Sequence, residues 1–404
     1  MKIEPLTVLS AQQAQQAEAI LRTCVHCGLC NATCPTYQLL GDERDGPRGR
    51  IYLIKQVLEG NAASEKTQLH LDRCLTCRAC ESTCPSGVNY GRLLDIGREQ
   101  VEKQVSRPLL QQFKRMALRK ILAYPQRFAI LLSLARFTKP LLPNTLAKLV
   151  PQSHSEDNLN YVVSEQPRKM LVLEGCVQSN LAPNINQAAA KVLQQLGISL
   201  ITAPTVGCCG AISYHLAAVA EGLNFARRNI DAWWPYLEQG AEAIVITASG
   251  CGVMVKDYAE LLKHDVDYAE KARRISAATR DIVEIVQAED LSRLTLQSNK
   301  KIAVQSPCTL QHGQKLHGVL ENILQQLGFS LVPVADAHLC CGSAGTYSLL
   351  QPELAEQLGQ NKIAALEKSQ PDVIASANIG CLTHLANKTE TPVKHWIEIV
   401  ATTL

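Results

Sequence analysis

The chain has 404 residues, of which 46 % are hydrophobic and only 4 % aromatic, with a formal net charge of +3. That length allows two to four domains with ample core, and no apolar run reaches the roughly 18 residues of a spanning helix, the strongest, "FAILLSLARF", breaking at Arg136. The opening "MKIEPLTVLSAQQAQQAEAI" lacks the basic start and apolar stretch of a signal peptide, so the expected setting is a reducing cytosol, where sixteen cysteines point to metal or redox chemistry rather than disulfides.

Residues 1–100 carry two cysteine runs joined by a loop and a helix, "DGPRGRIYLIKQVLEG". "CVHCGLCNATCP" (24–35) and "CLTCRACESTCP" (74–85) share the pattern C-x2-C-x2-C-x3-C-P, offset by fifty residues. In this ferredoxin run three cysteines hold one cubane and the fourth reaches to the other. The rule predicts one [4Fe–4S] cluster on Cys24, Cys27, Cys30 and Cys84, and another on Cys74, Cys77, Cys80 and Cys34. Structural zinc is the competing reading, but zinc sites use paired knuckles separated by longer loops. Arg48 and Arg50 are either counter-charges to clustered thiolates or a solvated arginine pair.

Residues 101–166 form a basic helical segment and a polar linker. Within 103–150 there are ten Lys or Arg and no Asp or Glu, so removing this segment's +10 from the total of +3 leaves −7 elsewhere. Its mixture of Leu, Ile, Phe and cations suits an amphipathic helix, lying on an anionic membrane or packed on protein. No recognition motif or stacking aromatic array accompanies the charge, which argues against nucleic acid.

Residues 167–297 and 298–404 are copies of one another. "MLVLEGC" matches "IAVQSPC", "LQQLGISL" matches "LQQLGFSL", "GCCGAISY" matches "LCCGSAGTY", and "AIVITASGC" matches "VIASANIGC". Cys176 to Cys208 and Cys308 to Cys340 are both 32 positions; Cys209 to Cys251 is 42 and Cys341 to Cys381 is 40. Short β-branched runs alternate with helical patterns, which predicts α/β units on a mostly parallel sheet. Cys176, Cys251, Cys308 and Cys381 each end such a run, so four thiols gather at one sheet edge in each copy. The glycine after each Cys-Cys pair is read as space for a cofactor or partner. His312, His338 and His384 are nearby histidines.

These copies resemble the cysteine-rich CCG domains of heterodisulfide reductases and of iron–sulfur subunits of respiratory dehydrogenases. That pattern ends in C-x2-C, whereas this chain reads Cys251-Gly-Val-Met254 and Cys381-Leu-Thr-His384, so a fifth thiol is missing twice. Cys176, Cys208, Cys209 and Cys251, and Cys308, Cys340, Cys341 and Cys381, are then ligands of a further iron–sulfur centre in a CCG domain, or one or both domains are cluster-free. The full-length order, with "CVHCGLCNATCPTYQLLGDERDGPRGRIYLIKQVLEG" first and "CCGSAGTY" and "HWIEIV" late, resembles the iron–sulfur subunits of bacterial glycolate oxidase.

The fold expected is α+β overall: a mostly α-helical ferredoxin-type domain with two [4Fe–4S] clusters, then two tandem α/β CCG domains with mostly parallel sheets. No G-x-G-x-x-G opens a helix after a strand, and no flavin site is evident. The resemblance implies an oxidoreductase subunit without catalytic residues of its own, relaying electrons from flavoprotein partners to a membrane quinone. It implies a cytoplasmic location, peripheral on the inner membrane through residues 103–150. Glycolate is the substrate implied for the complex; the alternatives are glycerol-3-phosphate, lactate, or a heterodisulfide-reductase-type thiol–disulfide activity.

Overall fold

The computed structural model describes residues 6, 8–139, 165–294 and 298–404. The first hundred residues are helical: α1 (Ala11–Thr23), α2 (Pro35–Leu40), α3 (Pro47–Leu58), α4 (Glu65–Asp72), α5 (Ala79–Thr83) and α6 (Tyr90–Gln104). Local chemistry starts them. Ser10 accepts the Gln13 amide proton at the head of α1, and Ser64 and Thr67 form a capping box on α4. Proline begins α2 and α3, where its missing N–H is no loss. Helices α3 and α6 pack so closely that a Cβ on Gly97 would lie 2.6 Å from the Ile54 side chain. Their apolar faces, with Ile54, Leu58, Leu93 and Leu94, form the core of this region.

Next come α7 (Leu109–Leu122) and α8 (Pro125–Thr138). Their polarity is inverted relative to a water-facing helix pair. Several cations turn towards carboxylates of the neighbouring regions: Arg115, with Arg107 just before α7, pairs with Asp72, and Arg119 and the exposed Lys120 pair with Glu221, while Lys114 and Arg127 stay exposed. The apolar side chains turn outward, with Leu109, Phe113 and Phe137 exposed to 82 %, 62 % and 83 %. Residues 140–164, which hold Lys148 and the expected linker, lie outside the described residues.

Each cysteine-rich copy is an all-parallel four-stranded sheet. The first has strands β1 (Arg168–Leu173), β2 (Ile198–Ile201), β3 (Ile244–Ile246) and β4 (Thr279–Asp281) in the order β2-β1-β3-β4. The second repeats it with β5 (Lys301–Gln305), β6 (Ser330–Val332), β7 (Val373–Ser376) and β8 (Val393–His395) in the order β6-β5-β7-β8. The central strands are continuous apolar runs, as strands covered on both faces must be: Ile244–Ile246 and Val373–Ser376 are wholly buried. The principal helices are α9 (Asn184–Gln195), α10 (Val219–Glu238) and α11 (Ser249–Lys256) in the first copy. The second has α12 (Val319–Gln326), α13 (Pro352–Glu367), α14 (Ile379–Ala386) and α15 (Trp396–Thr403).

The copies are joined, not strung. One apolar core contains Val192 and Val245 of the first and Ile374 and Trp396 of the second. His395 donates from Nε2 to the Thr247 carbonyl at 2.9 Å, and the Ser249 and Thr309 hydroxyls meet at 2.7 Å. Among the described residues no helix is long and apolar enough to cross a membrane.

Candidate metal centres

The two N-terminal runs fold alike because they repeat the same backbone turn. His26 and Gly28 in the first, and Thr76 and Arg78 in the second, take positive φ at matching positions. Left-handed residues between the cysteines curl the chain so that successive thiols face one side. Glycine accepts that conformation without strain; Arg78 accepts it at φ +59° while its guanidinium forms a half-buried ion pair with Asp257 of the first cysteine-rich copy.

The fourth cysteine of each run goes to the other run. Cys24, Cys27, Cys30 and Cys84 line one cavity, which Cys80 also borders. Burial raises the Cys24 thiol, with Cys84 and Cys27 adding to the rise, and burial pushes Cys30 up to about 11, with Cys24 and Cys84 contributing. Around Cys80 the order is burial, then Cys77 and Cys74, with Cys34 further down. Cys34 therefore faces the second set and Cys84 the first.

The two sites differ in exposure. Cys27 is exposed, whereas Cys74, Cys77 and Cys80 are buried. Tyr90 donates its hydroxyl to the Cys74 sulfur at 3.5 Å. Arg50 is 1 % exposed and donates to the His70 carbonyl and the Thr36 hydroxyl, the latter 3.3 Å from the Cys34 sulfur. Burial alone would lower the Arg50 guanidinium, but Cys74, Tyr90, Cys34 and Asp45 outweigh it and raise it. The solvated-pair reading of Arg48 and Arg50 fails here: Arg50 is an interior cation, and Arg48 pairs with Glu43 against Gly28.

In each cysteine-rich copy the four thiols form a file. Cys176, Cys208, Cys209 and Cys251 are linked in that order through their side chains, as are Cys308, Cys340, Cys341 and Cys381. Cys308 and Cys340 have sulfurs 3.7 Å apart. A cavity of about 1770 Å³ opens between the three regions, bordered by thiols of both files and by Cys74. None of the four cysteines ends a strand as expected: Cys176 and Cys308 lie just after β1 and β5, and Cys251 and Cys381 lie in the first turns of α11 and α14.

The glycines after the Cys-Cys pairs also have a different reason from the one expected. Gly210 and Gly342 take φ +93° and +88°, and a Cβ on either would lie 2.6 or 2.7 Å from a helix carbonyl, of Gly222 or Ala355. Backbone conformation and helix contact demand glycine there. The histidines are engaged elsewhere: His384 meets the Ala355 carbonyl at 3.1 Å, and His312 bridges Ser82 to the His338 carbonyl. Missed in the sequence were Asn229 and Lys362, buried behind the Cys-Cys turns; their signal is equivalent placement in the two copies.

The donor sets fit iron–sulfur centres. They are all thiol and mostly buried, with Cys27 exposed and Cys30, Cys84 and Cys251 half-buried; burial raises the thiols of Cys30, Cys77 and Cys80, while Cys176 and Cys308 are raised first by the neighbouring thiol and then by burial. Such groups ionise when a cation displaces the proton.

Residues 20–88 match the family described as "4Fe-4S dicluster domain", and residues 170–256 and 302–386 match "Cysteine-rich domain". The chain is 55 % identical over 388 residues to the glycolate oxidase iron–sulfur subunit of Escherichia coli K12, covering 96 % of this chain and 95 % of that protein. It is 29 % identical to the probable glycolate oxidase iron–sulfur subunit of Bacillus subtilis 168, covering 91 % and 89 %. Lactate utilization protein A of Bacillus licheniformis is 28 % identical over 53 % of this chain and 88 % of its own length.

Proposed function

The chain belongs to the family of glycolate oxidase iron–sulfur subunits, and we propose that it relays electrons taken from glycolate, as glyoxylate forms, from flavoprotein partner subunits to a membrane quinone. We assign Cys24, Cys27, Cys30 and Cys84 to one [4Fe–4S] group and Cys74, Cys77, Cys80 and Cys34 to the other. The thiols of the cysteine-rich copies are the ligands of a further centre. When bound, these groups supply one-electron redox capacity. The chain's own residues hold them, exclude water from the second site, and set the charge around each.

The observation that carries this reading is the succession of thiol sets. Cys27 stands at the surface, the Cys74 set is interior, and Cys77 lies in one apolar cluster with Cys308 and Cys340. Such an arrangement suits a conductor. Lactate is the weaker substrate, because the lactate-utilisation relative matches only 53 % of the chain. The test is purification of the chain with and without its partners. The expected result is about eight irons from the two cubanes, with further iron for the centre on the cysteine-rich thiols, and no glycolate oxidation by the chain alone. Cys24→Ser should stop quinone reduction while partner flavin is still reduced. Glycolate-dependent dye reduction by the isolated chain would overturn the relay role.

The outward apolar face of α7 and α8 supports contact with the bilayer that holds the quinone. With Arg107, Arg115, Arg119 and Lys120 paired to carboxylates, attachment should rest on burial of Leu109, Phe113 and Phe137 in the interface rather than on charge alone. Flotation with anionic vesicles should persist in high salt and fall in Phe113→Ser/Phe137→Ser. Loss of flotation in salt, or retention by that variant, would count against this mode of attachment.

A further inference from the structure

The two Cys-Cys-Gly turns provide a frame for comparing the copies residue by residue. Gly210 abuts the Gly222 carbonyl of α10, and Gly342 abuts the Ala355 carbonyl of α13. Seven residues further along each helix stand Asn229 and Lys362, both buried. Each ties down the loop that leads into its cysteine pair. Asn229 donates to the Cys208 carbonyl at 3.0 Å and accepts from the Gly207 amide at 3.1 Å. Lys362 donates from Nζ to the carbonyls of Asp336 at 2.9 Å and Ala337 at 3.4 Å.

The tethers are alike, but Lys362 carries charge and Asn229 does not; in the first copy the nearby cation is the half-buried Arg228, whose guanidinium reaches the Cys208 carbonyl at 3.5 Å. Among the described residues no carboxylate comes within ion-pair distance of Lys362. The groups that act on it most, after its burial, are the thiols of Cys341, Cys340 and Cys308, followed by Asp336. An interior ammonium without a counter-ion is strongly disfavoured, and neutral thiols do not provide one. An iron–sulfur centre on deprotonated cysteines does.

We propose that Lys362 is the fixed counter-charge for an anionic iron–sulfur centre on Cys308, Cys340, Cys341 and Cys381, a positioning residue with no cationic equivalent at Asn229 in the first copy. The inference rests on the relay reading above, which assigns these thiols to a centre. Lys362 favours the more negative, reduced form of that centre, so its charge raises the midpoint potential and helps retain the metal. The centre it serves lies beside Cys77, because Leu75, Cys77 and Ala79 pack against Cys308 and Cys340.

The test uses the full chain, with iron content and potentiometric spectroscopy as readouts, neither of which needs partner subunits or glycolate. Cys308→Ser should lower iron relative to wild type while both cubane signals remain. Lys362→Met should either lose the same iron or keep it with a midpoint shifted to lower potential, and Lys362→Arg should restore the wild-type value. Lys362→Asn, which installs the first copy's residue, should behave like Lys362→Met and guards against misfolding of a single variant. The proposal is overturned if Lys362→Met and Lys362→Asn keep both the iron and the midpoint, or if Cys308→Ser loses no iron. A chain that passes these tests yet transfers no electrons from glycolate would overturn the relay reading and leave Lys362 in place.

Discussion

The two cysteine-rich copies share strand order, a four-thiol file and a left-handed glycine, but they face different neighbours. Cys308 and Cys340 of the second pack against Cys77 of the dicluster region. Cys176 and Cys208 of the first pack instead with Ala123 and Phe225, beside Tyr124 at the junction of α7 and α8. A duplicated sequence has thus been given two positions: one file adjoins the buried N-terminal thiol set, and the other lies beneath the helix pair with the exposed apolar face. The difference teaches that equal ligand sets need not have equal roles, since access to the neighbouring centre depends on docking.

The sharpest way to break the comparison is Cys77→Ser. It should remove about four irons and interrupt transfer to the second file, while Cys208→Ser should leave both N-terminal centres spectroscopically intact; iron analysis and low-temperature spectra read both outcomes. If Cys208→Ser perturbed the N-terminal spectra as much as Cys77→Ser did, the files would not be placed differently.

Where the copies are alike, they should respond alike. Gly210→Ala and Gly342→Ala both put a Cβ against a helix carbonyl at positive φ. Each should destabilise by about 2–4 kcal/mol, combining left-handed strain with a forced backbone shift. Thermal melting of the two variants checks this, and a tolerated alanine in either copy would show that its turn has room.

The seam between the copies holds two buried groups with opposed titrations. Burial pushes Asp281 up to about 7, although Val283 and Gln314 donate to it, and burial pushes His395 down to about 4. A carboxyl whose folded pKa lies above its unfolded value of 3.8 gives stability that is full below that value and lost as pH rises towards 7. A histidine whose folded pKa lies below its unfolded 6.5 gives stability that is present above 6.5 and lost as pH falls towards 4. The limbs are on the order of 4 kcal/mol for Asp281 and 3 kcal/mol for His395, so they largely offset between pH 4 and 7. Asp281→Asn should leave a protein that loses stability on acidification, and His395→Gln one that loses it on alkalinisation. Parallel pH–melting profiles for the two variants would refute this opposition.

The smallest effect belongs to the surface that covers the first file's neighbourhood. Phe113→Ser should change stability by no more than about 0.5 kcal/mol, because the ring is largely exposed. A melting shift well beyond that would mean the ring is covered by protein and not available to a bilayer.

Much of this was legible in the residues. The offset of fifty between the N-terminal runs and the matched spacings of the later cysteines are arithmetic, and the family models match residues 20–88, 170–256 and 302–386. The apolar runs of β3 and β7 announced buried parallel strands. The orientation of α7 and α8 was not legible, since an amphipathic pattern fixes two faces without saying which one meets protein. Asp72 and Glu221, distant in sequence, take the cations and leave Leu109 and Phe137 outside. For Arg50 the residues left two readings, counter-charge or solvated cation, and its interior place was decided by Thr36 and the His70 carbonyl closing over it.

The sequence by itself determined the ligand types, their spacing, the duplication and the local turns, because these depend on covalent order and on backbone preferences spanning a few residues. Only the tertiary structure decided that the second file adjoins Cys77, that one copy buries an ammonium where the other buries an amide, and that the basic helices expose their apolar side. Those outcomes depend on which distant surfaces exclude water together, and burial of that kind is a property of the assembled fold.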